Sequence, residues 1–225
     1  MTQNKKAVCI LSGGMDSTLA SYLALKDGYD LISVHFNYGQ KTQKKELEAY
    51  RIISQDLNIN KKNQYEIDIP FFGEIGANAL CDDKIDIPTN GLEDGIPLTY
   101  VPFRNGIFLS IATAIAEKEE AQALFIGVVQ EDSSGYPDCS DTFIYKMQNA
   151  MNQGTAPKTK LEIKTPLVHM TKGQIVKKAF ELNVPLEHTW SCYKNENKAC
   201  GVCDSCRLRL NGFNLANKKD PIIYE

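Results

Sequence analysis

The 225-residue sequence has little net charge, no long apolar run and no segment with the charged, apolar and small-residue order expected of a secretory leader. Its 25 Lys and Arg residues nearly balance 28 Asp and Glu residues, and 43% of its residues are hydrophobic. This balance argues against intrinsic disorder and against a protein that coats nucleic acid. The most apolar stretch, Ile107 to Ala116, has only half of the ~20 residues that a transmembrane helix needs. We therefore expect a globular protein that binds neither membrane nor nucleic acid directly.

Cysteine and histidine are the next residues whose number is informative. Seven cysteines is an odd count, and together with the missing leader it argues against a full disulfide framework. We therefore expect reduced thiols and a cytoplasmic protein. The three histidines, His35, His169 and His188, show no spacing typical of a metal site and are expected to be structural.

Strand and helix patterns alternate along most of the chain, which predicts an α/β fold with a parallel sheet, right-handed crossovers and helices on both faces. The predicted strands are Ala7–Leu11, Leu31–Phe36, Tyr65–Ile69, Ala123–Val129 and Leu161–Lys164. The predicted helices are a helix that follows Ser17, a helix over Lys44–Leu57 and a helix that is capped by Asn105 and runs to Lys118. Two more are predicted over Asp141–Asn152 and over Thr171–Leu182, the last with a capping box. Periodicity fails from Phe71 to Leu98, which predicts a long loop or flap. The length suits one α/β domain, residues 1–185, and a small C-terminal region, residues 186–225.

The first strand is followed at once by Ser12-Gly13-Gly14-Met15-Asp16-Ser17. Glycines let the backbone N–H groups approach an anion, and the helix dipole and serine hydroxyls complete a phosphate cradle. The segment lacks the Gly-Lys-Ser/Thr of a Walker loop and the three glycines of a dinucleotide fingerprint. Two interpretations of Asp16 stay open: a carboxylate that handles magnesium or ammonia, or an acid that only favours the helix dipole. An ordinary, well-capped turn is the alternative for the whole segment.

The C-terminal region contains Cys192, Cys200, Cys203 and Cys206, with C-x7-C-x2-C-x2-C spacing. Four thiolates that converge on one ion form a closed, structural zinc site. An iron–sulfur cluster is a second interpretation, although the C-x3-C-P continuation of bacterial ferredoxins is missing. Unliganded thiols are a third. With little apolar sequence nearby, the metal would supply the folding free energy of this zinc knuckle.

The S-G-G-x-D-S segment after an N-terminal strand resembles the signature of the ATP pyrophosphatase (PP-loop) family. The resemblance implies a Rossmann-like, adenine nucleotide alpha hydrolase-like fold, and cleavage of ATP between its α and β phosphates beside Mg²⁺. Asp16 and Ser17 of this segment are candidate catalytic residues, and Arg104 is a third because its guanidinium suits an anion. The implied ATP-binding residues are Leu11, Ser12, Gly13, Gly14, Met15, Asp16, Ser17 and Thr18.

Further motifs resemble the 7-cyano-7-deazaguanine synthase family, in order and over almost the whole chain. They are Tyr38-Gly39-Gln40, Val101-Pro102, Arg104-Asn105, Gly127, Asp132, Ser134-Gly135-Tyr136-Pro137-Asp138-Cys139, Thr165-Pro166-Leu167 and the four cysteines. The resemblance implies a queuosine-pathway ligase, active as a homodimer, that converts 7-carboxy-7-deazaguanine and free ammonia to the nitrile with two ATP. Asp138 and Tyr136 are candidates for recognition and stacking of the purine-like base.

Three residues depart from the pattern of that family. Ser140 stands in place of arginine, Phe103 in place of glycine and Asn37 in place of aspartate, which weakens the transfer of substrate contacts near Ser140. Arg104 suits an anion partner, with a surface arginine as its alternative. Two other functions stay open: a sibling PP-loop enzyme that thiolates tRNA, which should carry a basic surface, and a non-catalytic nucleotide sensor with a zinc module.

Overall fold

A computed structural model describes residues 5–76, 78–91, 95–130 and 136–225. In this part of the chain five strands form one sheet: β1 (Lys6–Ile10), β2 (Asp30–Asn37), β3 (Gln64–Asp68), β4 (Ala123–Phe125) and β5 (Glu162–Lys164). The helices are α1 (Met15–Lys26), α2 (Gln43–Asp56), α3 (Phe71–Ile75), α4 (Arg104–Glu119), α5 (Asp141–Gly154), α6 (Lys172–Glu181) and α7 (Asp204–Leu215). None of these helices is long and apolar enough to cross a bilayer.

All four strand pairs are parallel, in the order β3-β2-β1-β4-β5, which confirms the predicted fold class. The chain builds the sheet outward from β1 first in one direction and then in the other. The order therefore reverses between β1 and β4, and a crevice opens beyond the carboxyl ends of these two strands. Open α/β sheets bind their ligands at such a switch point.

The helices cover both faces of the sheet, as predicted. Leu19 of α1, Val176 of α6 and Phe213 of α7 belong to one buried cluster, while Tyr50 of α2 and Leu109 of α4 belong to another. Because the central strands are buried on both faces, β1 and β2 read as nearly continuous apolar runs rather than as alternating patterns.

The structure corrects several predicted elements. The strand predicted over Ala123–Val129 ends at Phe125, although the Ile126 N–H still donates to the Lys164 carbonyl at 3.1 Å. Helix α4 is preceded by Phe103 in the capping position rather than by Asn105. The predicted loop from Phe71 begins with α3 and is anchored by buried apolar side chains. These are Phe72, Ala79, Leu80 and Ile87.

Helix α7 was not predicted at all. Its buried positions include Cys206, Arg209 and Phe213, so its inward face carries a cation and a thiol where a helical pattern should show apolar residues. That composition hides the amphipathic period that identifies helices in a sequence.

Candidate active site and cysteine cluster

The loop from Ser12 to Ser17 joins β1 to α1 at the crevice, where the sequence predicted a phosphate cradle. Gly13 has φ +86°, and a Cβ there would lie 2.7 Å from the carbonyl oxygen of Glu46. Only glycine fits this conformation and this close approach. The Ser12 and Ser17 hydroxyls are 2.9 Å apart, and the Gly14 N–H donates to Ser12 Oγ at 3.2 Å. Hydroxyl and amide groups therefore converge at the start of α1.

A second glycine lets the neighbouring strand segment approach this loop. A Cβ on Gly127 would lie 2.6 Å from the backbone nitrogen of Ser17. Gly127 follows β4, so the absence of a side chain there keeps the crevice between β1 and β4 open at the start of α1. Any larger residue would push the first turn of α1 away from the sheet.

Asp16 lies in the first turn of α1 and pairs with a lysine that the sequence did not identify. Its Oδ2 is 2.7 Å from Nζ of Lys172, the first residue of α6. Its other oxygen, Oδ1, is buried and has no hydrogen-bond partner among the described residues. Gly212 of α7 packs against Lys172, since a Cβ on Gly212 would lie 2.9 Å from Cβ of Lys172. The α6–α7 contact thus fixes the start of the lysine side chain.

The crevice holds a cavity of about 280 Å³. Its apolar wall comes from Ile10, Val34, Phe36, Phe108 and Ile126, and its polar wall includes Ser12, Asp16, Ser17, Glu46, Arg104, Lys172 and Asp204. Leu11, Gly14 and Met15 also line it. Of the residues predicted to bind ATP, Gly13 faces α2, and buried Thr18 donates from Oγ1 to the Gly14 carbonyl at 2.8 Å. These two shape the loop from behind.

Arg104, the first residue of α4, lines the cavity among tyrosine side chains. Its Nη1 donates to the hydroxyl of Tyr38 at 3.1 Å. Burial raises the pKa of the phenols of Tyr38, Tyr136 and Tyr193, so these groups stay protonated at neutral pH. The guanidinium is consequently a cation in the cavity wall with no carboxylate hydrogen-bonded to it among the described residues. That arrangement suits an anionic ligand.

Asp138 holds the backbone of Asn105, which lines the cavity. Asp138 is buried, and its Oδ2 accepts the backbone N–H of Asn105 at 2.9 Å. Asp138 therefore caps the first turn of α4. Asp204 also lines the cavity, and its charge adds to burial in raising the pKa of Tyr136. Asp132, Ser134 and Gly135 lie outside the described residues.

The three departures from the family pattern have local explanations. Phe103 has φ +55°, a left-handed conformation that glycine adopts without strain, and its ring covers Gly106. Ser140 caps α5 by accepting the Phe143 N–H on its Oγ at 3.2 Å. Asn37 donates from Nδ2 to Asp68 Oδ1 at 2.9 Å.

The four C-terminal cysteines converge on one point. The sulfurs of Cys192, Cys200, Cys203 and Cys206 all lie within 4.8 Å of one another and all four residues are buried. Backbone N–H groups of Lys194, Asn195 and Cys200 point at the Cys192 sulfur at 3.3–3.4 Å. Four sulfurs in a closed cage that receives backbone N–H groups fit a soft metal ion.

The remaining cysteines and histidines lie elsewhere. Cys9 is in β1, where burial raises the pKa of its thiol to about 12. Cys139 lines the cavity in the crevice. Buried His35 contacts the Leu11 carbonyl through Nδ1 at 3.1 Å, and His169 pairs with Asp141 at the surface. None of the histidines belongs to the cysteine cluster.

Comparisons with known proteins give a family and a fold. The model of the family described as "Queuosine biosynthesis protein QueC" matches residues 6–217. A 7-cyano-7-deazaguanine synthase of Aliarcobacter butzleri is 69% identical over 98% of this chain and 96% of its own length. The enzyme of the same name from Sulfurimonas denitrificans is 63% identical over 99% of this chain and 98% of its own.

Solved structures that resemble this chain are remote in sequence and show the fold alone. A predicted subunit of a tRNA methyltransferase from Methanocaldococcus jannaschii has a TM-score of 0.51 at 18% identity, over 79% of this chain and 75% of that one. The NH3-dependent NAD synthetase of Campylobacter jejuni has a TM-score of 0.50 at 17% identity, over 82% of this chain and 66% of that one.

Proposed function

The chain belongs to the queuosine biosynthesis protein QueC family, and we propose that it is an ATP-dependent ligase that makes 7-cyano-7-deazaguanine from 7-carboxy-7-deazaguanine and ammonia. A carboxylate oxygen is a poor leaving group, so the carboxylate is first adenylated, with release of pyrophosphate. Ammonia then displaces AMP and leaves an amide. Adenylation of the amide oxygen by a second ATP allows loss of AMP and two protons, which gives the nitrile.

One observation supports this chemistry at the switch point of the sheet: Ser12, Asp16 and Ser17 of the loop line one cavity together with Lys172 and Arg104. Both adenylation steps release pyrophosphate, so one loop can serve both. The N-terminus of α1 and the loop amides favour the negative phosphate groups. We propose the segment Leu11–Thr18 as the ATP-binding loop, with Asp16 and Ser17 in direct contact with the phosphates or their counter-ion.

We expect the Asp16–Lys172 ion pair to stabilise the negative charge of pyrophosphate and its counter-ion. The ammonium of Lys172 is a fixed cation at the cavity wall and can stabilise negative charge that develops as pyrophosphate leaves. The buried Oδ1 of Asp16 is a suitable ligand for Mg²⁺, which prefers carboxylate oxygens. When bound there, Mg²⁺ would neutralise phosphate oxygens.

At the other end of the cavity, Arg104 suits the carboxylate of the substrate. The guanidinium is oriented by the Tyr38 hydroxyl and can form paired hydrogen bonds to two carboxylate oxygens. Asp204 lines the same end and can accept the N–H groups of a guanine-like edge. Arg104 thereby holds the reacting carboxylate near the phosphate loop, so its contribution to catalysis is orientation.

The finer features of the protein complete the proposal. We propose that the four cysteines hold one Zn²⁺, that the active form is a cytoplasmic homodimer, and that residues 1–185 form the ATP pyrophosphatase-type unit and 186–225 the zinc-binding region. Zinc is supported by a closed set of four sulfurs with no open coordination position. Elemental analysis should give about one zinc per chain and no iron.

The test is release of pyrophosphate from ATP by the purified protein with 7-carboxy-7-deazaguanine and ammonium, with the nitrile detected by mass spectrometry. We expect two pyrophosphates per nitrile. Lys172→Met should lower kcat by about 100-fold or more, and Lys172→Arg should restore part of it. Exposed Lys177→Met on the same helix is the matched control and should leave kcat unchanged.

The rival functions predict different results in the same assay. Release of pyrophosphate that depends on tRNA would favour the thiolating sibling, and ATP binding without turnover would favour a sensor. The names of the close relatives favour neither. No substrate-dependent release would overturn the ligase proposal.

A further inference from the structure

The chain entering the cysteine cluster is hydrogen-bonded to the loop from Ser12 to Ser17, which is proposed above to bind phosphate and is named the phosphate loop below. The backbone N–H of Trp190 donates to the carbonyl of Gly13 at 2.9 Å. A trans peptide unit is planar, so its C=O and N–H point in opposite directions. With the Gly13 carbonyl held by Trp190, the N–H of Gly14 in the same peptide unit must point away from Trp190, and Gly14 lines the cavity. Trp190 thus sets the orientation of the Gly14 amide, which donates to Ser12 Oγ at 3.2 Å and so positions a hydroxyl that lines the cavity.

Trp190 is itself fixed by the loop that wraps around Cys192. Its indole Nε1 donates to the carbonyl of Asn195 at 3.0 Å, and the Asn195 N–H points at the Cys192 sulfur at 3.3 Å. The Trp190 side chain is buried, so the ring has little freedom to leave this position. A metal ion that holds Cys192 therefore also holds the loop against which Trp190 packs.

A second connection reaches the phosphate loop from behind. Glu196 lies between Cys192 and Cys200 in the sequence. Its Oε1 accepts the backbone N–H groups of Lys44 and Lys45 at 3.0 and 3.4 Å. These N–H groups belong to the first turn of α2, where a carboxylate is stabilised by the helix dipole. The same helix packs against Gly13, because a Cβ at that position would lie 2.9 Å from Cβ of Ala49. The cysteine region thus contacts Gly13 on one side through Trp190 and supports its other side through α2.

We propose that metal binding at the four cysteines and nucleotide binding at the phosphate loop stabilise each other, with Trp190 and Glu196 as the positioning residues that connect the two sites. This inference rests on the proposed function for the identity of the nucleotide. Without the metal, the Cys192–Cys200 segment loses its common anchor and both connections loosen. Nucleotide binding must then restore the order of the loop, which lowers its affinity. Because coupling is reciprocal, bound nucleotide must raise the affinity for the metal by the same factor by which the metal raises the affinity for the nucleotide.

The experiment measures both directions on the full-length protein. The dissociation constant of α,β-methylene-ATP, which cannot be cleaved between its α and β phosphates, is determined by calorimetry for zinc-loaded and zinc-depleted protein. We expect about 10-fold weaker binding after depletion. In the reverse direction, the affinity of the protein for zinc is measured by competition with a chelator. Saturating analogue should raise that affinity by the same factor. Equal affinity with and without zinc, or shifts of different size, would overturn the proposal.

Zinc-loaded variants keep the proposal testable if the depleted protein unfolds. Glu196→Ala removes the support of α2 but no cysteine, and should weaken analogue binding about threefold to tenfold at unchanged zinc content. Glu196→Gln retains an acceptor oxygen and should recover most of the affinity. Glu48→Ala is the matched control, because Glu48 is an exposed carboxylate on α2 that pairs with Lys45. If Glu196→Ala and Glu48→Ala bind the analogue equally well, the connection through α2 is refuted.

Failure of this proposal can be told apart from failure of the proposed function. Zinc-loaded wild-type protein that does not bind the analogue at all would refute the nucleotide site, and the coupling with it. Analogue binding that is unaffected by zinc and by Glu196 would refute the coupling only.

Discussion

Asp220→Asn should be among the most destabilising conservative substitutions in this chain. The Asp220 carboxylate receives Nε and Nη2 of Arg209 at 2.7 and 2.9 Å, the Tyr224 hydroxyl at 2.7 Å and the Ile222 N–H at 3.2 Å. The Arg209 and Asp220 side chains are only 1% and 4% exposed. Whichever oxygen becomes an amide nitrogen, two of these donors lose their acceptor. The buried guanidinium also loses the carboxylate charge that is hydrogen-bonded to it among the described residues.

The expected magnitude follows from that burial. Removing one partner of a buried ion pair typically costs about 3–5 kcal/mol of the free energy of unfolding. For a chain of this size, each 1 kcal/mol lowers Tm by about 2–4 °C, so a fall of roughly 6–20 °C is expected. Arg209 also donates from Nη1 to Thr189 Oγ1 at 2.7 Å, next to Trp190. The loss should therefore reach the segment that contacts the phosphate loop.

The matched control is Glu66→Gln. Arg51 and Glu66 form the same two-point pair, at 2.8 and 2.6 Å, but their side chains are 52% and 31% exposed. Exposed pairs contribute about 0–1 kcal/mol, so this variant should unfold close to wild type. The free energy of unfolding is measured in urea by far-UV circular dichroism and by the fluorescence of Trp190, the single tryptophan. Coincident transitions establish two-state behaviour. Equal destabilisation by the two substitutions would refute the argument from burial.

Three further predictions concern the backbone of the loop, a left-handed residue and a buried carboxylate. Gly13→Ala should abolish analogue binding in calorimetry, because its Cβ cannot fit 2.7 Å from the Glu46 carbonyl at φ +86°; wild-type affinity would contradict the loop geometry. Phe103→Gly should be more stable than Phe103→Ala by about 1 kcal/mol in urea unfolding, because only alanine keeps the strain of φ +55°, and the reverse order would disprove that strain. Burial raises the pKa of the Glu46 carboxyl in the folded protein above its ordinary value of 4.5. The unfolded chain therefore loses this proton more readily than the folded protein, and the free energy of unfolding falls as the pH rises above 4.5. In urea unfolding, the free energy of unfolding of Glu46→Gln minus that of wild type should therefore increase from pH 4 to pH 8. A difference that does not change with pH would exclude this cause.

Local sequence signals were sufficient for the parts of the site that are built from adjacent residues. The loop from Ser12 to Ser17 combines a buried strand, two glycines and a helix start within one short segment, and its geometry depends on those residues. The four cysteines likewise carry their own ligand spacing. Both were predicted, and the structure brings each group together as expected. The role of each residue in catalysis and metal binding stays a prediction.

Residues that join the site from a distance carried no such signal. Lys172 lies 156 positions from Asp16, and nothing in a capping-box helix distinguishes a lysine that reaches a cavity from one that faces solvent. Asp138 was proposed for base recognition from its motif, and the structure adds a contact that the motif did not indicate, the cap of α4. Its role in base recognition stays a prediction. Helix α7 was missed since buried Arg209 and Cys206 replace the apolar period.

The sequence by itself determined the parallel α/β fold, the glycine turn from Ser12 to Ser17 and the four-cysteine set, because periodicity, glycine placement and ligand spacing act over a few residues. Only the tertiary structure decided that Lys172 meets Asp16, that Arg104 faces the same cavity as the loop, and that Trp190 holds the Gly13 carbonyl. Those contacts depend on where the crossovers return each segment to the sheet. The sequence pattern predicted a separate C-terminal region around the four cysteines, whereas in the structure the chain entering this region is hydrogen-bonded to Gly13 of the loop.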